Sequence, residues 1–149
     1  MTWKPNATVA TIVEDNGKFL MVEEISDGQL VVNQPAGHIE EGESILAAAL
    51  RETLEETGYH VNLGELIGVY TLKALNGNIY YRFCFSATLS HRDENATIDP
   101  DIQNVVWLSK QEIAHEDHRH RSPLVQVCLN DYLAGKRYPL SLIYEHPTT

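Results

Sequence analysis

The sequence predicts an α/β protein of the α+β kind, with helices packed on one mixed β-sheet. Three observations carry this. Two strand pairs are separated by hairpin turns, Asp15-Asn16-Gly17 and Asn76-Gly77. A helical apolar rhythm begins near residue 45 and stops at Gly58. A last helix enters through Ser122-Pro123 and ends at Gly135, completing the order strands, helix, strands, helix. The 149 residues suit a single domain, 1–149, long enough for a core.

Ala7 to Val13 alternates apolar and polar residues, and Lys18 to Val22 returns after the first turn. Ser26-Asp27-Gly28 turns again, and Leu30 to Val32 is a short strand ended by Pro35 and Gly37, which open a loop. Gly64 to Leu75 and Ile79 to Leu89 pair around Asn76-Gly77. The polar segment 90–100 reads as an exposed loop. Val105 to Leu108 is a strand, and Ser109-Lys110-Gln111-Glu112 is a capping box that opens a short helix. Leu124, Val127, Cys128 and Leu129 are the expected buried side of the last helix.

The helix from about 45 to 58 carries the chemistry. With Glu52 at zero on a wheel of about 100° per residue, Glu56 falls at about 40° and Glu55 at about −60°. Three carboxylates thus share one face, and Leu46, Leu50, Thr53, Leu54 and Thr57 form the stripe expected to bury. Ala48 and Ala49, one turn before the acids, leave room for another backbone. Ser44 suits the N-cap and Gly58 the stop. Acids crowded at a helix C-terminus repel one another and oppose the dipole. A solvated face is the ordinary meaning of such a cluster. A divalent cation among the carboxylates is the functional one, because this spacing makes a hard-ion site with positions left for phosphate oxygens and water.

The wider pattern decides between them. Gly37, Glu43, Arg51, Glu52, Glu55, Glu56 and Gly58 stand as G-x5-E-x7-R-E-x-x-E-E-x-G. At about one in fifteen per residue type, these fixed positions coincide by chance about once in 10⁸ trials. The pattern over 37–58 is the Nudix box, and the chain resembles the Nudix hydrolase family. Thr53 and Tyr59 depart from its usual apolar slots. Outside the box, Asn33-Gln34-Pro35-Ala36-Gly37-His38, Asp99-Pro100-Asp101-Ile102 leading to Trp107, Arg121-Ser122-Pro123-Leu124-Val125 and Arg137-Tyr138-Pro139-Leu140 resemble the phosphatase NudJ subgroup.

The resemblance implies a Nudix α/β/α sandwich with a mixed β-sheet between helices. It implies that Glu52, Glu55 and Glu56 bind Mg²⁺, or Mn²⁺ in its place, with the Gly37 carbonyl as a further ligand. Glu43 is expected to tie its loop to Arg51, which orders the site, a direct phosphate contact being the other role open to Arg51. Glu52 is the first choice for the base that activates water, followed by Asp101 and Glu94; the last two also read as ordinary loop acids.

Phosphates need cations, and Lys73, Arg82 and Arg121 are the candidates. Lys73 and Arg82 read equally as solvated strand charges, and Arg121 precedes a helix N-terminus. Gln34 either lines the site or satisfies backbone at a strand end. Trp3, Tyr70, Tyr80 and Tyr81 can stack on a base or pair across strands. His115, His118 and His120 lack the partners of a zinc tetrahedron and read as a solvated loop.

The net charge is −10, from 21 acidic residues against 11 Lys and Arg. Such a chain repels nucleic acid polymers and anionic membranes and needs a metal wherever it binds a phosphate ester. Cys84 and Cys128 are too few for a disulfide framework, and Cys84 reads as a buried thiol. Neither a leader nor a membrane helix is legible, which points to a cytoplasmic monomer.

The expected function is Mg²⁺-dependent hydrolysis of a phosphoanhydride in a small phosphorylated molecule. The resemblance implies release of terminal phosphate from nucleoside di- and triphosphates, from the pyrimidine diphosphate precursor of thiamine, or from thiamine diphosphate. The rivals are a Nudix pyrophosphatase of a dinucleotide, nucleotide sugar or coenzyme, and a non-catalytic nucleotide sensor. Intact acids argue against the sensor.

Overall fold

The computed structural model describes residues 2–148. Strands β1 (Asn6–Asp15) and β2 (Lys18–Ser26) each carry an unbroken buried run, 9–13 and 19–22, as strands covered on both faces do. Between them Asn16 and Gly17 take positive φ, 51° and 77°, as a tight two-residue hairpin requires. Next come β3 (Gln29–Asn33), β4 (Ala36–His38), helix α1 (Ile45–Thr57), β5 (Tyr59–Lys73), β6 (Ile79–Arg92), β7 (Ile102–Ser109), α2 (Lys110–His115) and α3 (Leu124–Leu133).

The strands form one mixed sheet in the order β3-β2-β1-β6-β5, with β4 also on β1 and β7 also on β2. β1 and β6 run parallel, with Thr8 opposite Arg82 and Ala10 opposite Cys84. The other pairings are antiparallel. Successive β1 residues face opposite sides. Val9 joins Leu66 and Phe85 in a cluster with Ala48 and Ala49 of α1. Ala10 joins Cys84 and Ile67 in a cluster with Val125, Cys128 and Leu129 of α3. The two helices therefore cover opposite faces, which is the expected α/β/α sandwich. Among the described residues no helix is long and apolar enough to cross a membrane.

Several local expectations need correction. The loop expected to open at Pro35 and Gly37 instead begins with β4, held by only three residue pairs on β1 and too short to show an alternation. β5 begins at Tyr59 rather than Gly64, because register shifts between Leu63 and Leu66 let the strand continue through Gly64-Glu65. α1 is rotated from the expected orientation. Thr53 and Thr57 bury as expected, but Ala48, Ala49 and Glu56 bury with them, while Leu50 is 40% exposed. Small Ala48 and Ala49 let the helix backbone approach the sheet, and that proximity outweighs the area of the leucines. In α3, Val125 is buried in place of Val127.

Chain after α3 returns to α1. Tyr138 and Leu66 exchange two backbone hydrogen bonds of 2.8 Å, and Leu140 and Ile143 pack against the α1 cluster. The Glu145 carboxylate then accepts from the Ile45 N–H at 2.7 Å, which satisfies a free donor at the start of α1 and places negative charge at its positive end.

Candidate active site

α1 is fixed at both ends. The Ser44 side chain accepts from the Ala47 N–H at 3.0 Å, and Gly58, left-handed at φ 79°, donates to Leu54 at 2.8 Å. The loop after β6 then docks on the last turn: the Asp93 N–H donates to the Gly58 carbonyl at 2.8 Å, and the Asp99 N–H to that of Glu55 at 2.9 Å. Otherwise unsatisfied helix carbonyls are bonded, and the turn carrying the acids is held in place.

Arg51 ties these acids together. Its Nε and Nη2 donate to the two Glu43 oxygens at 2.5 and 2.8 Å, its Nη1 to Glu52 at 2.8 Å and Glu55 at 3.1 Å, and its Nη2 to the His38 carbonyl at 3.0 Å. Glu43, a carboxylate paired to a guanidinium, is lowered to about 2. Glu52 is raised, chiefly by burial, against the pull of Arg51. Glu55 is the more open acid, its side chain 48% exposed.

Glu56 does not face outward, as a helix wheel alone suggests. It is buried and accepts from the Ala36 N–H at 2.8 Å. Burial pushes it up to about 9; the Ala36 N–H opposes this, while the charges of Glu24, Glu52 and Asp99 add to it. Glu24 and Asp99 are thus acids of the site that sequence reasoning missed. Glu24 reaches it through the sheet, which leaves no local signal, whereas Asp99 stands inside a family-like motif. Asp101 and Glu94, the expected loop candidates, are exposed, and Asp101 donates its N–H to an Asp99 carboxylate oxygen at 3.0 Å.

Gly37 belongs to β4, where the Glu52 carboxylate occupies the space a Cβ would need. Among the described residues no three acidic, His or Cys side chains close into a ligand group as they stand, since Arg51 holds Glu52 and Glu55. The donor set nevertheless suits a hard divalent ion: three carboxylates, a backbone carbonyl that a bare glycine leaves accessible, and a buried carboxyl amid acids that a cation would relieve.

The expected phosphate ligands divide. Gln34 is buried; its Nε2 donates to the Val125 carbonyl at 2.8 Å and its Oε1 accepts from Arg82 at 3.1 Å. Arg82 is buried as well, not a solvated strand charge. Arg121 is exposed and pairs with Glu24 at 2.8 Å, which places it beside the acidic group. Lys73 is exposed at the β5–β6 hairpin, opposite Ile79, and is not brought to the acids by any ion pair among the described residues. Tyr70 donates to Asp131 at 2.7 Å, and the His120 ring bonds the Ile113 carbonyl at 2.8 Å.

An acidic helix facing a glycine strand across an α/β/α sandwich defines a hydrolase of phosphorus anhydrides. The NUDIX domain model matches residues 3–127, and the chain belongs to the Nudix hydrolase family, whose members generally use divalent metal ions. It is 39% identical over 141 residues to the phosphatase NudJ of Escherichia coli strain K12, covering 95% of this chain and 92% of that protein. The phosphatase NudJ of Shigella flexneri matches to the same extent, 39% over 141 residues. Among solved structures, a NUDIX hydrolase from Nitrosomonas europaea superposes with a TM-score of 0.93 at 45% identity, over 96% of this chain and 98% of that one.

Proposed function

We propose that the protein releases terminal phosphate from nucleoside di- and triphosphates and from the pyrimidine diphosphate precursor of thiamine, hydroxymethylpyrimidine diphosphate, or thiamine diphosphate, with Mg²⁺ or Mn²⁺ as its metal. The observation that carries this reading is the approach of the acidic turn of α1 to β4, with the Glu52 carboxylate against Gly37 and Glu56 on the Ala36 N–H. Such a metal withdraws charge from the phosphate oxygens and acidifies water. Glu52, Glu55, Glu56 and the Gly37 carbonyl hold it. Arg51, locked to Glu43, orders the acids rather than contacting substrate. Glu52 takes the proton of the attacking water, and Asp99, half-buried where Asp101 is exposed, is the loop acid that supports it electrostatically. Arg121 leaves Glu24 to meet a phosphate. The 39% identity to phosphatase NudJ supports release of single phosphates.

The test is a substrate panel with Mg²⁺ and with Mn²⁺, assayed separately for orthophosphate and pyrophosphate. Orthophosphate as the product of triphosphates is expected. Pyrophosphate plus nucleoside monophosphate would overturn the terminal-phosphate assignment, and no metal-dependent release from any compound would overturn the whole reading.

A further inference from the structure

Arg82 is 6% exposed, yet among the described residues no carboxylate lies within ion-pair distance of it. Its partners are neutral: Gln34 Oε1 at 3.1 Å, Asn33 Oδ1 at 3.1 Å and Cys128 Sγ at 3.9 Å. A nearby acid, Asp131, is taken by Tyr70, the residue opposite Arg82 on β5, and by Lys136. A buried cation without an anion is costly, and a purely structural arginine would be expected to carry a carboxylate or to be replaced by an apolar side chain.

The surroundings indicate what the cation is for. Gln34 is anchored to α3 through Val125 and holds the guanidinium from one side. Arg82 Nε and the Asn33 amide nitrogen make no hydrogen bond among the described residues, so the group offers donors only. Arg82 shares a sheet face with Thr8, its partner on β1, and with Tyr80 two residues earlier. His38 lies opposite Thr8 on β4, its ring 6.3 Å from that of Tyr80. This face is opposite the one α1 covers. Only Pro35 separates Gln34 from Ala36, whose N–H holds Glu56. A substrate with its phosphates at the acids would therefore reach around β4 and lay its other end against Tyr80, His38 and Arg82.

We infer that Arg82 and Asn33 select the substrate's heterocycle, by donating hydrogen bonds to an acceptor edge of the ring, a ring nitrogen or carbonyl oxygen, while the acids of α1 handle the phosphates. This rests on the proposed phosphohydrolase reading, and it reassigns Arg82 from phosphate to ring.

The test compares kcat/KM for ATP, GTP, CTP and UTP, and the affinities of the four nucleoside monophosphates by calorimetry, in wild type, Arg82→Met and Asn33→Asp. Substrates sharing one triphosphate differ only in the ring. The wild type is expected to prefer one ring, and Arg82→Met to shrink that preference by about ten- to a hundredfold, as loss of a charged hydrogen bond predicts. Asn33→Asp supplies the missing anion. It is expected to hold or raise the thermal midpoint while also shrinking the preference, which a structural role for Arg82 would not produce. Equal turnover and binding of all four rings by the wild type, or a uniform fall with the ratios kept, overturns the inference. If no triphosphate is hydrolysed the proposed function falls, and the monophosphate affinities still decide this one.

Discussion

Arg51 and Glu43 meet through two parallel hydrogen bonds, Nε to one carboxylate oxygen at 2.5 Å and Nη2 to the other at 2.8 Å. This fork is the geometry a guanidinium offers and an ammonium does not. It lowers the Glu43 carboxyl from 4.5 to about 2. The folded state thus binds this proton more weakly than the unfolded chain, so the contribution is complete above pH 4.5 and is lost as pH falls toward 2. Thermal unfolding followed across that window is expected to show a steeper acid loss in the wild type than in Glu43→Gln, which should also be less stable at neutral pH. Arg51→Lys should lower turnover, because a single ammonium cannot hold Glu43, Glu52 and Glu55 in place at once. Parallel acid slopes in wild type and Glu43→Gln would count against the pairing.

Glu55 and Glu56 differ in setting, so their amide variants should differ in stability. Glu55 is half-exposed, and Glu55→Gln is expected to leave the thermal midpoint nearly unchanged. Glu56 is buried, with its carboxyl pushed up to about 9 chiefly by that burial. Glu56→Gln keeps an oxygen for the Ala36 N–H and removes an ionisable group from an acidic interior, so without metal its midpoint should hold or rise. Both should lose at least about a hundredfold in phosphate release, the scale set by metal stabilisation of transition-state charge. Differential scanning fluorimetry with EDTA and with Mg²⁺ provides the check: the wild type should gain more from the metal than either variant. Undiminished turnover in both variants would remove these residues from the site.

At Gly37 the constraint is space, since its φ is not positive and the Glu52 carboxylate lies where a side chain would begin. Gly37→Ala should therefore displace Glu52 and weaken metal binding and turnover more than stability. Titration with Mn²⁺, read by its water-proton relaxation, would reveal this as a raised dissociation constant in a folded protein. Unchanged metal affinity would show that Glu52 can move aside without consequence.

Much of this arrangement was legible because it is local. Ser44, Gly58 and the acids between them specify a helix, its ends and a shared face from neighbours within a turn or two. What was not legible depends on distant chain. The wheel gave α1 a leucine stripe, but the side that buries is set by how closely Ala48 and Ala49 let β1 approach, and the chain around Leu140 and Ile143 lies along the same cluster. Arg82 reads equally as a phosphate ligand and a solvated strand charge in the sequence, because α3, whose Cys128 touches it and whose Val125 holds its partner Gln34, lies more than forty residues away in the chain. Glu24 joins the acids only through strand pairing.

Thr53 occupies a family slot that is usually apolar, and the fold supplies its reason in Thr11 of β1. Both residues are fully buried, with their hydroxyl oxygens 2.8 Å apart. Thr53 donates to the Ala49 carbonyl at 2.8 Å, so the bond between the two hydroxyls must take its proton from Thr11. Thr53→Val would leave the Thr11 hydroxyl buried with nothing to accept its proton, a cost of about 1–3 kcal/mol. Thr11→Val removes only the donor and leaves Thr53 bonded to its helix, so it should cost less, about 1 kcal/mol. The double variant Thr11→Val/Thr53→Val puts two apolar groups in contact and should recover much of the loss. Urea unfolding of the four proteins measures the coupling directly. Additive losses would show that the two hydroxyls do not depend on one another, and that a threonine at position 53 needs a different explanation.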